Sequence, residues 1–311
     1  MIERMLTETF IVGLLAGMVR MAAPIIAASA GEILAERSGV LNLGLEGIML
    51  TGAFAGYVGA AFSGNLWVGV LCSLIAGGLL AGVHAFISIT LRGDQIISGL
   101  AISILCGGLV LFFFRVLFGL TQSFPRVGFQ PVDLPVLSSI RFIGPIFFQQ
   151  NILVYLIFFC AVFCTYLLYR TSFGLKVRGV GENPGAADAM GVSVKTIRYL
   201  CVILGGMLTG LGGSFMTLGH LHLYVNDITS GRGWIAIALV IFGRWDPMKA
   251  LGGALLFGFV DAFQFRIQGL GVKIPVHLLF MLPYLLTIVV LLSVARRAEM
   301  PAALGSPYRR E

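Results

Sequence analysis

The sequence predicts an all-α polytopic membrane protein of about 8–10 transmembrane helices, some of them broken, with one short helix exposed on the cytoplasmic side. Three observations predict it. Over 311 residues, 58% are hydrophobic and only 11% charged, and mean hydropathy is strongly positive. Soluble chains rarely look like this. The apolar residues fall into runs near the ~20 residues that a bilayer requires. The polar ones collect in short breaks punctuated by glycine and proline. A single membrane domain, 1–311, is therefore expected.

The net charge of +7 sits in those short breaks, which suits membrane lipid with anionic headgroups on the cytoplasmic face. No basic-aromatic strip is present, so no nucleic acid is expected as a partner. Cys72, Cys106, Cys160, Cys164 and Cys201 all lie in apolar runs, where they act as small hydrophobes rather than disulfides or zinc ligands. The opening Met1-Ile2-Glu3-Arg4 leads into no short apolar core with a cleavage site, so no removable leader is expected.

In chain order, residues 2–18 place Ile2, Met5, Leu6, Phe10, Leu14 and Met18 at helical spacing and suit a helix at the membrane interface. Arg20 is costly in mid-span. Either the first span starts near Met21 or Arg20 faces the bundle interior. Residues 31–47 form a charged, glycine-rich break, read as either a plain loop or a broken helix whose freed backbone groups line a cavity. Spans follow at 45–62, 66–91 and 96–117, then a proline- and phenylalanine-rich outer segment at 118–150, then a span at 151–169. Beyond a polar loop at about 171–197, residues 199–221 cross back. A second break at 224–233 precedes the short apolar 234–242, expected to complete a broken crossing. Spans at 250–265 and 276–295 lead to a basic tail at about 296–311. Arg170, Lys176, Arg178, Lys195 and Arg198 in the loop, and Arg296, Arg297, Arg309 and Arg310 in the tail, put both in the cytoplasm. About nine crossings result, with the N-terminal end outside if the first segment spans. No repeat of fixed period occurs.

The loop itself reads as one short helix. Asn183 suits the cap, Pro184 the first helical position and Gly191 a left-handed stop. Ala186, Ala187, Ala189 and Met190 would face outward, a surface able to lie flat in a partner's groove; the plainer alternative is a turn joining two spans. Ser193 offers a second cap, and Lys195 and Arg198 mark the water-facing end of the next span.

This pattern of Gly181, Asn183, Pro184, Ala187, Gly191 and Val192 resembles the coupling loop of ABC importer permeases, in the branch serving branched-chain amino acids, simple sugars and nucleosides. Residues 24–52 resemble the same family's N-terminal signature. Ile274-Pro275, the run Leu278-Leu279-Phe280-Met281-Leu282-Pro283-Tyr284 and the tail 301–308 resemble its nucleoside branch most closely. The matches cover most of the chain outside 118–150. The resemblance implies a permease of a bacterial cytoplasmic (inner) membrane importer. It implies docking of Gly181, Glu182, Asn183, Pro184, Ala187 and Gly191 on separate ABC ATPase subunits. It also implies a second homologous permease subunit and an extracytoplasmic substrate-binding protein. One departure stands out: Ser103 replaces an asparagine common in the family.

No glycine-rich phosphate cradle ending in Gly-Lys-Ser/Thr occurs, and no Gly-x-Ser-x-Gly elbow or His-Glu-x-x-His helix, so the chain is expected to be no enzyme and to need no cofactor or metal. His220 and His222, two apart, face different ways. His84, and Asp261 with Gln264 three residues on, read as interhelical hydrogen-bonding groups. A nucleoside is a neutral small-molecule substrate, and its path calls for amides, hydroxyls and apolar walls. Asn42, Glu46, Gln95, Ser98, Asn226 and Asp227, at or beside the helix breaks, are the candidates to line it, with capping or interhelical bonding as the alternative for each. The rival function is an ion-coupled secondary transporter of a small polar solute, with Glu46, His84 or Asp261 carrying the ion. ABC permeases for simple sugars or branched-chain amino acids stay open as well.

Overall fold

A computed structural model describes residues 8–119, 126–133, 135, 137–138, 140–269, 275, 278–279, 281–294 and 300–309. Among them, seven helices are long and apolar enough to cross a membrane: α1 (Glu8–Arg37), α2 (Leu45–Ser63), α3 (Leu66–Thr90), α4 (Gln95–Phe118), α5 (Ile152–Arg170), α8 (Val194–Leu221) and α10 (Pro247–Gly269). Two short helices, α6 (Ser172–Glu182) and α7 (Pro184–Ala189), join α5 to α8. After α8 come the short α9 (Arg232–Phe242) and, following α10, α11 (Leu282–Val294). The apolar runs locate α2 to α5 to within a residue, because each starts or stops at local chemistry. Asn65, Asp94 and Asn151 accept hydrogen bonds from the N–H of Trp67, Ile97 and Leu153 at 2.9, 2.9 and 2.8 Å, occupying donors that a helix start leaves free.

Two expectations are corrected at the N-terminal end. Ile2, Met5 and Leu6 lie outside the described residues, and from Glu8 onward no separate interfacial helix exists. α1 runs unbroken through Arg20, which lies on its exposed side with Nε donating back to the carbonyl of Ala16 at 3.4 Å. The helix also continues through Gly31, Glu32 and Glu36, so the break expected over 31–47 is confined to residues 38–44.

The bundle is assembled around α8, which packs against α1, α2 and α3. Small residues permit this, since lipid supplies no hydrophobic drive for helices to associate and close backbone contact must do so. A Cβ on Gly31 would lie 2.5 Å from the Gly205 carbonyl oxygen. A Cβ on Gly206 would meet Ala81 Cβ and, at 2.5 Å, the Gly77 carbonyl oxygen.

The helix ends sort into two faces. On one, Glu8 pairs with Arg141 at 2.6 Å, and Phe129 N–H donates to Leu218 at 2.8 Å. There a two-stranded antiparallel ribbon matches 131–133 to 149–151 within the segment expected outside. On the opposite face lie Arg37, α6, α7 and the tail, the basic side assigned to the cytoplasm. Arg296, Arg297 and Arg310 of that tail lie outside the described residues.

The packing of α8 yields a paired prediction. Gly206→Ala should destabilise the protein by about 1–3 kcal/mol through overpacking. Gly252→Ala, on an exposed helix site with nothing within 4 Å of the new Cβ, should be neutral or stabilising by up to about 1 kcal/mol. Thermal retention of the monodisperse protein in detergent reads both; equal behaviour of the two would contradict the close α3–α8 contact.

Candidate functional site

Two sites emerge, one on the face that carries α6, α7 and the tail and one inside the bundle. On the first, the loop is two helices rather than one. Thr171 Oγ1 accepts from Gly174 N–H at 3.1 Å to start α6, and Asn183 Oδ1 accepts from Ala186 N–H at 3.0 Å to start α7, with Pro184 in its first turn. Gly191 has φ +82°, the left-handed stop that its glycine suggests. Ser193 caps no backbone group; its hydroxyl pairs with that of Thr196 at 2.8 Å.

The residues expected at the docking surface separate on burial. Gly181 is buried, and a Cβ there would strike the carbonyl oxygen of Arg37. It therefore seats the loop on α1 instead of facing a partner. Ala187 is half-buried, packed on the chain's own core. Pro184 is half-buried as well, whereas Glu182, Asn183, Gly185, Ala186, Ala189 and Gly191 are exposed. Met190, at 84% exposed, is the bulky apolar group that this surface offers.

The tail lies across the loop. Ala303 N–H donates to the Gly181 carbonyl at 2.9 Å, Ala302 N–H to Glu182 Oε2 at 3.3 Å, and Tyr308 Oη to Asp188 Oδ2 at 2.9 Å. Gly305 N–H donates to Gly39 at 3.2 Å. Arg198, expected to face water, is only 1% exposed. Its Nε donates to Ser38 O at 3.1 Å and its Nη1 to Ser306 O at 2.9 Å. Two nitrogens of a buried guanidinium are thus held by carbonyls from two segments far apart in sequence, while Nη2 has no hydrogen-bond partner among the described residues.

Inside the bundle, residues 38–44 fold back beside α1. Asn42 N–H donates to Glu32 Oε1 at 2.8 Å, Leu41 N–H to Gln95 Oε1 at 2.8 Å, and Gly44 N–H to Asn42 Oδ1 at 2.9 Å. His84 bridges the Leu41 carbonyl at 2.9 Å and Ser98 Oγ at 3.1 Å. Ser103 Oγ accepts from Gly47 N–H at 3.2 Å, so at that position the hydroxyl holds the start of α2. Three of the six pathway candidates, Asn42, Gln95 and Ser98, are therefore brought together, but as the buried pegs of a non-helical loop.

Glu46 does something different. Its two carboxylate oxygens accept from Gly231 N–H at 2.9 Å and Gly233 N–H at 2.6 Å, capping α9 from a separate helix. Tyr224, at the top of the second break, meets Phe54 of α2 edge-on at 5.6 Å. Between Phe54 and Glu46 the chain of α2 drops roughly 12 Å. α9, 11 residues long, covers about 16 Å more, so the break and the short helix divide a ~30 Å bilayer core between them. Asn226 and Asp227 are exposed within this break, Asp227 at φ +56°. At its foot Arg232 Nη2 donates to Asp261 Oδ2 at 3.3 Å, an ion pair whose side chains are 15% and 9% exposed. Sequence reasoning missed Arg232. The available signal was a cation opening a short apolar helix with a single acid, Asp261, in the next span, since each charge in lipid needs the other.

Glu46→Ala should leave two partly buried N–H groups without acceptors, at up to about 1–3 kcal/mol each, and lower the thermal midpoint of the purified protein clearly. Glu46→Gln, which keeps one acceptor oxygen, should fall between. A midpoint unchanged in Glu46→Ala would remove the capping role.

The description "Branched-chain amino acid transport system / permease component" fits residues 13–291. The chain is similar to the guanosine ABC transporter permease protein NupQ of Bacillus subtilis, 37% identical over 92% of this chain and 93% of that one. It is similar to the nucleoside ABC transporter permease protein NupC of Lactococcus lactis, 36% identical over 95% and 96%. It is also similar to a candidate glucose ABC transporter permease protein, TsgC13, of Haloferax volcanii, 40% identical over 97% and 99%. With a multi-pass bundle, a broken crossing and a family match running almost from end to end, the chain belongs to the branched-chain amino acid transport system permease component family and is an ABC permease subunit.

Proposed function

We propose that this chain is one of two permease subunits of an importer that carries nucleosides across the cytoplasmic membrane. Separate ATPase subunits drive it from the cytoplasmic face, and an extracytoplasmic binding protein delivers the solute. The observation that carries this reading is the similarity, over more than nine-tenths of both chains, to two permeases named for guanosine and for nucleosides. A second reading, transport of glucose or a similar simple sugar, is favoured by the relative from Haloferax volcanii. ATP binding would draw the ATPase subunits together, pull on α6 and α7, and reopen the path to the other side. Asn183, Ala186, Ala189 and above all Met190 form the docking surface, with Gly181 and Ala187 setting its position from behind.

Cells lacking the chain should fail to take up guanosine or related nucleosides, and restoring it should restore uptake that depends on cellular ATP and resists an ionophore. Glucose uptake in place of nucleoside uptake would select the second reading; uptake abolished by the ionophore at normal ATP would reject both.

A charge at Met190 tests the docking surface. Met190→Asp buries an unpaired carboxylate if a partner covers it, at a cost of several kcal/mol, whereas an exposed loop tolerates it within about half a kcal/mol. The variant should accumulate normally yet lose the ATPase on purification or hydrolyse without transport. Ser306→Asp, on an exposed tail residue, should do little. Full uptake and full ATPase association in Met190→Asp would show that no partner docks there.

A further inference from the structure

Beside the foot of the second break lies a cavity of about 310 Å³ between α9, α10 and α11. Its polar wall is Ser230, Arg232, Asp261 and Gln264, and its aromatic wall Phe265 and Tyr284. Arg232 and Asp261 neutralise one another at 3.3 Å. Gln264 is only 5% exposed, yet its Oε1 has no hydrogen-bond partner. An amide oxygen buried without a partner costs roughly 1–3 kcal/mol, so the fold gains nothing from it in the empty state. Phe265 and Tyr284 remain 46% and 55% exposed, and the Tyr284 hydroxyl oxygen lies 3.4 Å from where a Cβ on Gly231 would sit.

We infer that this cavity is a sugar-recognition subsite on the transport path, in which Gln264 and the Arg232–Asp261 pair read adjacent hydroxyls and the two aromatic rings face the sugar or its attached base. The inference rests on the reading that the chain carries a neutral, sugar-bearing solute. The chemistry is specific. A hydroxyl both donates and accepts, so neighbouring hydroxyls can take donors from a guanidinium and offer protons to a carboxylate and an amide oxygen at once. The weakly polar C–H face of a sugar, or the flat base of a nucleoside, is covered by aromatic surface. Because the ion pair is already balanced, a charged solute would bring an unmatched charge to membrane depth, which the site disfavours. The volume sits at the low end for small-molecule pockets, suited to one ring system at a time. The cavity also adjoins the second of the two interruptions, and interrupted backbone within a membrane is tolerated where it borders a cavity or is buried in protein. Ribose in a nucleoside and the ring of glucose share this chemistry.

The test uses the whole transporter in cells lacking the native chain. Uptake of guanosine is compared with that of 2′,3′-dideoxyguanosine, and uptake of glucose with that of 2-deoxyglucose and 3-deoxyglucose, in wild type and in Gln264→Leu. The variant removes an unpartnered atom and should reach wild-type membrane levels with its ATPase attached. For the solute that the wild type carries, preference for the hydroxylated form over the deoxy analogue should fall by about three- to tenfold, the worth of one hydrogen bond. Asp261→Asn should lower it in the same direction. Gly252→Ala, remote from the cavity lining, should leave it unchanged. Whichever pair responds identifies the source of the sugar. A preference unmoved in Gln264→Leu, or equal loss of both analogues, overturns the subsite while leaving the transport reading intact. Wild-type cells that take up neither guanosine nor glucose overturn the transport reading, and the subsite with it.

Discussion

Hydrocarbon offers a backbone amide no partner, and the molecule is organised by how it meets that constraint at two interruptions. Each free N–H inside the bilayer must find an acceptor in the protein. At residues 224–231 the acceptor is the carboxylate of Glu46, contributed by another helix and placed at the positive end of α9, where both its hydrogen bonds and its charge are favourable. At residues 38–44 the acceptors are Glu32, Gln95 and Asn42. The acids that make the sequence look soluble at these points are what allow the backbone to leave the helix there.

The two interruptions are tied to the face that carries α6, α7 and the tail. The turn after α9 closes on the end of α1: Trp245 Nε1 donates to Glu36, and Arg37 Nε donates to the Trp245 carbonyl at 2.9 Å. Residues 38–39 are held by Arg198 and by the tail, and the tail is held by Gly181, Glu182 and Asp188. α6, the tail and the inward-folded loop thus form one hydrogen-bonded body. A displacement of α6 is either shared with residues 38–44 or breaks these bonds, two of which, from Ala303 N–H to Gly181 and from Gly305 N–H to Gly39, run between backbone groups.

Much of this was legible from composition because a span is a one-dimensional property: a run of about 20 apolar residues forms the same helix wherever it packs. Asn183, Pro184 and Gly191 were legible for a similar reason, since caps and stops act within one turn. What failed depended on distant segments. Glu32 and Glu36 look like a break until Asn42 N–H and Trp245 supply their partners. Arg198 looks water-facing until carbonyls of Ser38 and Ser306, 160 and 108 residues away, are folded around it. α6 was missed because Gly174, Gly179 and Gly181 argue against helix by propensity, yet Gly181 is required by the Arg37 carbonyl beside it.

The same contacts bear on how transport is powered. An ion-coupled carrier needs an intramembrane group that can take up and release its ion without dismantling the fold. Glu46 holds the start of α9 through two backbone amides. His84 clamps the Leu41 carbonyl to Ser98, and Asp261 neutralises Arg232. Protonating Glu46 or Asp261 would weaken the acceptor on which a half-helix or a buried guanidinium depends. Charging His84 would place an unpaired cation among buried groups. Each of these three ionisable candidates is thus already committed to holding backbone or balancing charge, whereas Met190, beside α7, is 84% exposed. Work entering through an intramembrane ion does not fit that set of committed groups.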